Sequence, residues 1–161
     1  MPEQGESTAA LAGARDAGFM DLALEEARQA AREGEIPVGA VLVSEGQVIA
    51  RAHNEREASC DATAHAEILA IRKACKALKR WRLPEATLYV TLEPCPMCAG
   101  AIWNARIGRV VYGAYDSAAG ACGSQFHILA QPALHCQTQV TAGVREQECL
   151  KILRDFLKAR R

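Results

Sequence analysis

After an opening hairpin, strand-like and helix-like segments alternate along this chain. That alternation points to an α/β fold, with helices on both faces of a mixed sheet. Phe19 to Arg32 is the first helical segment, with Phe19, Ala23, Ala27 and Ala30 a turn apart and Gly34 as its stop. Val38 to Val43 is an apolar run, 44–47 reads as a turn, and a second strand follows to Ala52. A helix is expected from an N-cap at Thr63 to about Arg80, with Ile68, Ile71, Cys75 and Leu78 as its inward stripe. Thr87–Leu92 reads as a strand, 93–105 as a helix start and body, and Arg109–Tyr115 as a strand. A loop covers 116–124, and 125–135 shows no clear period. Gln137–Thr141 reads as a last short strand. Val144 to Lys158 reads as a closing helix with Cys149, Ile152, Leu153 and Phe156 inward.

At 161 residues the chain suits one domain, placed at 19–161. Residues 1–18 lack both a basic start and an apolar run, so they read as a flexible extension and not as a signal peptide. No apolar stretch reaches the roughly 18–20 residues of a membrane span. Seven cysteines, an odd number without an export signal, indicate reduced thiols in a cytoplasm. With 19 basic and 19 acidic residues, a nucleic acid would have to be held by a local patch. Such patches exist at Arg72–Arg82, with six basic residues and no acid, and at the C-terminus. Charge runs of this kind ordinarily mark solvated helix faces, and an RNA-facing role is the alternative.

Two motifs carry chemistry. Thr63-Ala-His65-Ala-Glu67 opens one helix, and Glu93-Pro-Cys95-Pro-Met-Cys98 opens the next long one. Cys95 and Cys98 share a helix face, and a helix N-terminus favours the thiolates that a metal needs. Together with His65 they make three ligands suited to tetrahedral Zn²⁺. A structural zinc is closed by four protein ligands, whereas a catalytic one keeps a place for water. Glu67 is one residue too far along to complete a capping box. It can act beside His65 only over the first turn of the helix, where a carboxylate can move a proton between water and substrate. A redox Cys-x-x-Cys pair or a zinc-stabilised RNA-binding module would leave Glu67 without a task. The remaining cysteines read as small core or surface residues, and His53, His127 and His135 have no partner motif.

The spacing H-x-E…P-C-x-x-C matches the known zinc-deaminase signature. From about Asp21 to Arg160 the chain closely resembles the tRNA-specific adenosine deaminases. The likeness includes 36–43, Asn54, Asp61, 63–68, 86–95, 98–101 and 106–111; the later pieces Gly113-Ala-x-Asp116 and Gly120-Ala-x-Gly-Ser124 are similar to the tRNA branch in particular. The resemblance implies a five-stranded cytidine-deaminase-like three-layer sandwich, a homodimer with one Zn²⁺ per subunit, and adenosine-to-inosine conversion at the wobble position of the tRNA anticodon stem-loop. It further implies that Asn54 contacts the adenine, Val38 walls the pocket and Asp116 lies by the anticodon-loop backbone. Ala118 stands where the family often has Lys, and Ala62 where it often has Pro; Cys60 and Cys122 are also unusual. The other enzyme reading is a deaminase of free guanine or cytidine.

Overall fold

A computed structural model describes residues 8–160. Helix α1 (Thr8–Arg32) leads into the hairpin β1 (Gly39–Ser44) and β2 (Gln47–His53). A short helix α2 (Arg56–Ser59) and helix α3 (Ala66–Leu78) come next, then β3 (Ala86–Leu92), α4 (Pro96–Asn104) and β4 (Arg109–Ala114). Two 3₁₀ turns, Ile128–Ala130 and Pro132–Leu134, occupy the stretch without a clear period. Strand β5 (Gln139–Thr141) and helix α5 (Glu146–Ala159) close the chain.

The five strands form one sheet in the order β2-β1-β3-β4-β5. β1 is antiparallel to both β2 and β3, while β4 is parallel to β3 and to β5. Alternate residues serve opposite faces, as the strand period of two requires. Ala40, Leu42, Leu88, Val90, Val110 and Tyr112 pack with α3 and α4 residues. Val41, Val43, Tyr89 and Val111 pack with Met20, Ala23 and Leu24 of α1 and Cys149 of α5. The result is the expected three-layer α/β sandwich. At Gly39 a Cβ would fall 1.9 Å from the Ala23 carbonyl oxygen, so only glycine lets α1 lie this close to β1.

The direction of the strands places the site. Only β1 runs against the other four. Val38, just before β1, therefore lies at the same end of the sheet as Asn54, Glu93 and Asp116, which follow β2, β3 and β4.

Three expectations need correction. Helix α1 begins at Thr8 and not at Phe19, so residues 8–18 are its first turns; residues 1–7 of the expected extension lie outside the described residues. Within those turns Asp16 is buried, accepting the Tyr89 hydroxyl at 2.8 Å and pairing with Arg109 at 2.6 Å. Burial alone would push the Asp16 carboxyl up, but its hydrogen bonds and the Arg109 charge bring it below the usual range. The inward stripe of α3 is Ala66, Ala70, Ile71 and Ala74 with Glu67, whereas Ile68, Cys75 and Leu78 are half-buried. Small residues let α3 approach the sheet, and the larger ones sit at its margins. Finally, Thr63 does not cap α3. Its N–H and hydroxyl both bond Asp61 Oδ1, at 2.8 and 2.7 Å, and the cap position belongs to His65.

Candidate active site

Helices α3 and α4 both begin at a residue of the proposed metal set. His65 caps α3 and Cys95 caps α4; the His65 side chain makes no capping bond to its helix, while Cys95 Sγ accepts from Cys98 one turn on. Pro96 occupies the first turn of α4, where its missing N–H costs nothing and its fixed φ suits the helix. The two cap side chains face each other across the end of the sheet. The first N–H of α3, from Ala66, is bonded instead by Asn54 Oδ1 at 2.8 Å, while Asn54 Nδ2 donates to the Ile36 carbonyl at 3.2 Å. Asn54 therefore performs the capping task expected of Thr63, from a distant point in the sequence.

His65 Nδ1 lies 3.7 Å from Cys95 Sγ and 3.4 Å from Cys98 Sγ. The three donor atoms fall within 4.8 Å of one another. Ordinary zinc–nitrogen and zinc–sulfur bonds at a tetrahedral angle set an N···S edge of about 3.6 Å, which the two distances bracket. Two sulfurs and one nitrogen are also the donors zinc favours, and three of them leave one position open. The residues present fit the ion.

The protons on this cluster follow its hydrogen bonds. The Cys95 thiol is pulled down to about 4, chiefly by the bond from Cys98 and then by His65. Cys98 is pushed up, first because it is the donor to Cys95 and then by burial. His65 is raised by its bond to Cys95. These bonds favour the thiolate form at Cys95, the form in which a cysteine binds a metal cation.

A cavity of about 150 Å³ opens beside these residues, lined among others by Val38, Asn54, His65, Glu67, Cys95 and Asp116. Glu67 is 4% exposed, and its burial pushes the carboxyl up from its usual value. Val38 and Asn54 are buried, while Asp116 is half-buried at the rim, its Oδ1 accepting the N–H of Ala118 and Ala119 at 3.0 and 3.1 Å. Every residue assigned to the site from the sequence lines this cavity or, like Cys98, completes the metal set beside it.

Other residues of the site were not foreseen. Ile36, Arg56, Leu92 and Glu93 also line the cavity. Glu35 stands next to Ile36 of the lining: its buried carboxylate accepts the N–H of Glu57 at 2.9 Å and of Ala58 at 2.8 Å, anchoring α2. His53 is held between Glu26 and Glu33 of α1, at 2.8 Å from each, next to Asn54. Burial opposes its charge, but the two carboxylates outweigh that and raise its pKa. Glu35 and Glu93 each follow a recognisable stop or strand end, yet nothing local marks either as buried.

A family model for the cytidine and deoxycytidylate deaminase zinc-binding region matches residues 14–114, which include both motifs. A tRNA-specific adenosine deaminase of Bacillus subtilis (strain 168) is 49% identical over 144 residues, 89% of this chain and 89% of its own. A solved structure from studies of A-to-I editing by tRNA:A34 deaminases at the wobble position matches with TM-score 0.82 and 53% identity. It covers 84% of this chain and 99% of that one. A guanine deaminase structure from Bacillus subtilis is 44% identical, with TM-score 0.60, over 66% of this chain and 69% of its own. The likeness to the tRNA:A34 deaminase structure is the more extensive of the two.

Proposed function

We propose that this chain, which belongs to the zinc-binding cytidine and deoxycytidylate deaminases and within them to the tRNA-specific adenosine deaminases, converts the wobble adenosine of tRNA to inosine. The observation that carries the chemistry is the buried Glu67 carboxyl in the same small cavity as His65 and Cys95. His65, Cys95 and Cys98 would hold one zinc ion per subunit, which would supply a water acidified enough to attack near neutral pH. Glu67 would accept a proton from the attacking water as the water's oxygen bonds to adenine C6. It delivers the proton to a ring nitrogen, then assists departure of the amino group, so that ammonia leaves and the C6 oxygen remains. Burial suits Glu67 to this work, because it strengthens the carboxyl's hold on a proton that must be taken up and then passed on.

The cavity is smaller than the roughly 300 Å³ at which drug-sized pockets begin, so it suits a single base turned out of the loop. Val38 walls it. Asn54 has one amide N–H not engaged by Ile36, and that donor faces the adenine. Asp116 borders the anticodon-loop backbone. Moving the adenosine by one position in an anticodon stem-loop tests the assignment. Inosine is expected from the wobble position and little from the displaced one, whereas equal rates at both would contradict it.

The chain acts as a homodimer in the cytoplasm. The support for a dimer is an apolar groove between α3 and α4, lined by Ile71, Cys75, Trp81 and Ala101, with Trp81 56% exposed. All seven cysteines are free, consistent with a reducing compartment. Among the described residues no helix is long and apolar enough to cross a membrane. Trp81→Glu is expected to weaken self-association about thirtyfold or more, as loss of a buried aromatic anchor does, without unfolding the chain. Sedimentation across a concentration series reads the change; an undiminished dimer would place the interface elsewhere.

A further inference from the structure

Glu93 lines the cavity, yet the chemistry above gives it no task. It follows β3 and stands two residues before Cys95, and it is 2% exposed. Its Oε1 accepts the Asp116 N–H at 3.2 Å and the Ser124 hydroxyl. Its Oε2 accepts the N–H of Cys122 and of Ser124, each at 3.1 Å. All four donors come from the loop 116–124, and they include both of its ends. Gly120 presses on the same carboxylate, since a Cβ there would fall 2.3 Å from Glu93 Oε2. A carboxylate buried without partners would be costly, so carboxylate and loop hold each other in one shape.

That loop forms part of the cavity rim, because Asp116 lines the opening together with Glu93. Beside it Tyr115 and Phe126 are 49% and 48% exposed. A cavity sized for one base leaves the neighbouring nucleotides to cross the rim, and exposed aromatic rings there are surfaces on which bases stack.

We propose that Glu93 is a positioning residue for the RNA substrate. By fixing the 116–124 loop to the segment that carries Cys95, it aligns the nucleotides beside the target base with the site. The proposal rests on the tRNA reading above. It assigns Glu93 no proton transfer and no metal contact.

Glu93→Gln sets an amide NH₂ against backbone N–H groups that need an acceptor, which loosens the loop. In the full-length, zinc-loaded protein, KM for an anticodon stem-loop is expected to rise about tenfold or more. The single-turnover rate at saturation should stay within about threefold, with zinc content unchanged. Ser124→Ala removes one donor and keeps the backbone, so it remains informative if the first variant folds poorly; its KM should rise about two- to threefold. Added to Glu93→Gln, it should contribute little more, because both act through one contact. An unchanged KM in the foldable variants, or a loss confined to the saturating rate, would overturn the proposal and leave Glu93 a purely structural residue. If the wild-type protein itself left the stem-loop unreacted, the tRNA reading would fail and the proposal with it.

Discussion

Glu67→Ala is expected to lower inosine formation on an anticodon stem-loop by about 10³–10⁴-fold, the upper range for one general acid–base group. The effect is large because both proton transfers, onto the ring and onto the departing amino group, pass through one carboxyl. Bulk water cannot readily replace it in a cavity where Glu67 is almost fully buried. Zinc should stay at about one per chain by elemental analysis, since three other residues supply the donor set. Glu67→Gln keeps the size and polarity of the side chain but cannot carry the proton, so its loss should be as great. Burial of an ionisable carboxyl opposes folding, so both variants should melt at or above the wild-type temperature. His65→Ala and Cys95→Ser form the opposite case: they should lose the zinc and lower the melting temperature together. Zinc loss in Glu67→Ala, or activity within tenfold of wild type, would show that the roles are wrongly assigned.

The gathering of His65, Glu67, Cys95 and Cys98 was legible because each half of it is local. His65 and Glu67 sit on the first turn of one helix, and Cys95 and Cys98 one turn apart on another. β1 reads as a strand because Val38 to Val43 is a continuous apolar run, as suits a strand whose six residues are all buried. β5 is three residues long with two of them exposed, so neither run length nor alternation marks it strongly. The early turns of α1 failed for a different reason. Residues 8–15 are exposed and so carry no apolar stripe; their helix rests on alanine-rich propensity and continuity with the buried turns that follow. Thr63 looked like a cap by residue type, but Asp61 engages it and Asn54 reaches Ala66 from the end of β2. Glu35 and Glu93 take their partners 22 to 31 residues away along the chain. A buried carboxylate satisfied by distant backbone N–H groups has no local sequence signature. Such contacts shape the cavity rim, and only the folded sheet brings them together.

The second large effect is substrate choice. The donor set and Glu67 could deaminate many amino-heterocycles, so selection of adenine in RNA must come from the cavity and its rim. A free base or nucleoside reaches only the cavity, which is lined by Val38, Asn54 and their neighbours. An anticodon loop brings phosphates, sugars and flanking bases as well, which the proposed function places along the segment that begins at Asp116. Those contacts raise kcat/KM both by holding the loop tightly and by aligning C6 for attack in the transition state. The most direct measurement compares one enzyme preparation on an anticodon stem-loop with a wobble adenosine and on free adenosine, cytidine and guanine, following product by chromatography. Inosine from the stem-loop, at kcat/KM at least about 10³-fold above any free substrate, is the predicted result. Efficient deamination of guanine or cytidine with none of the stem-loop would contradict the tRNA assignment while leaving the zinc deaminase chemistry in place.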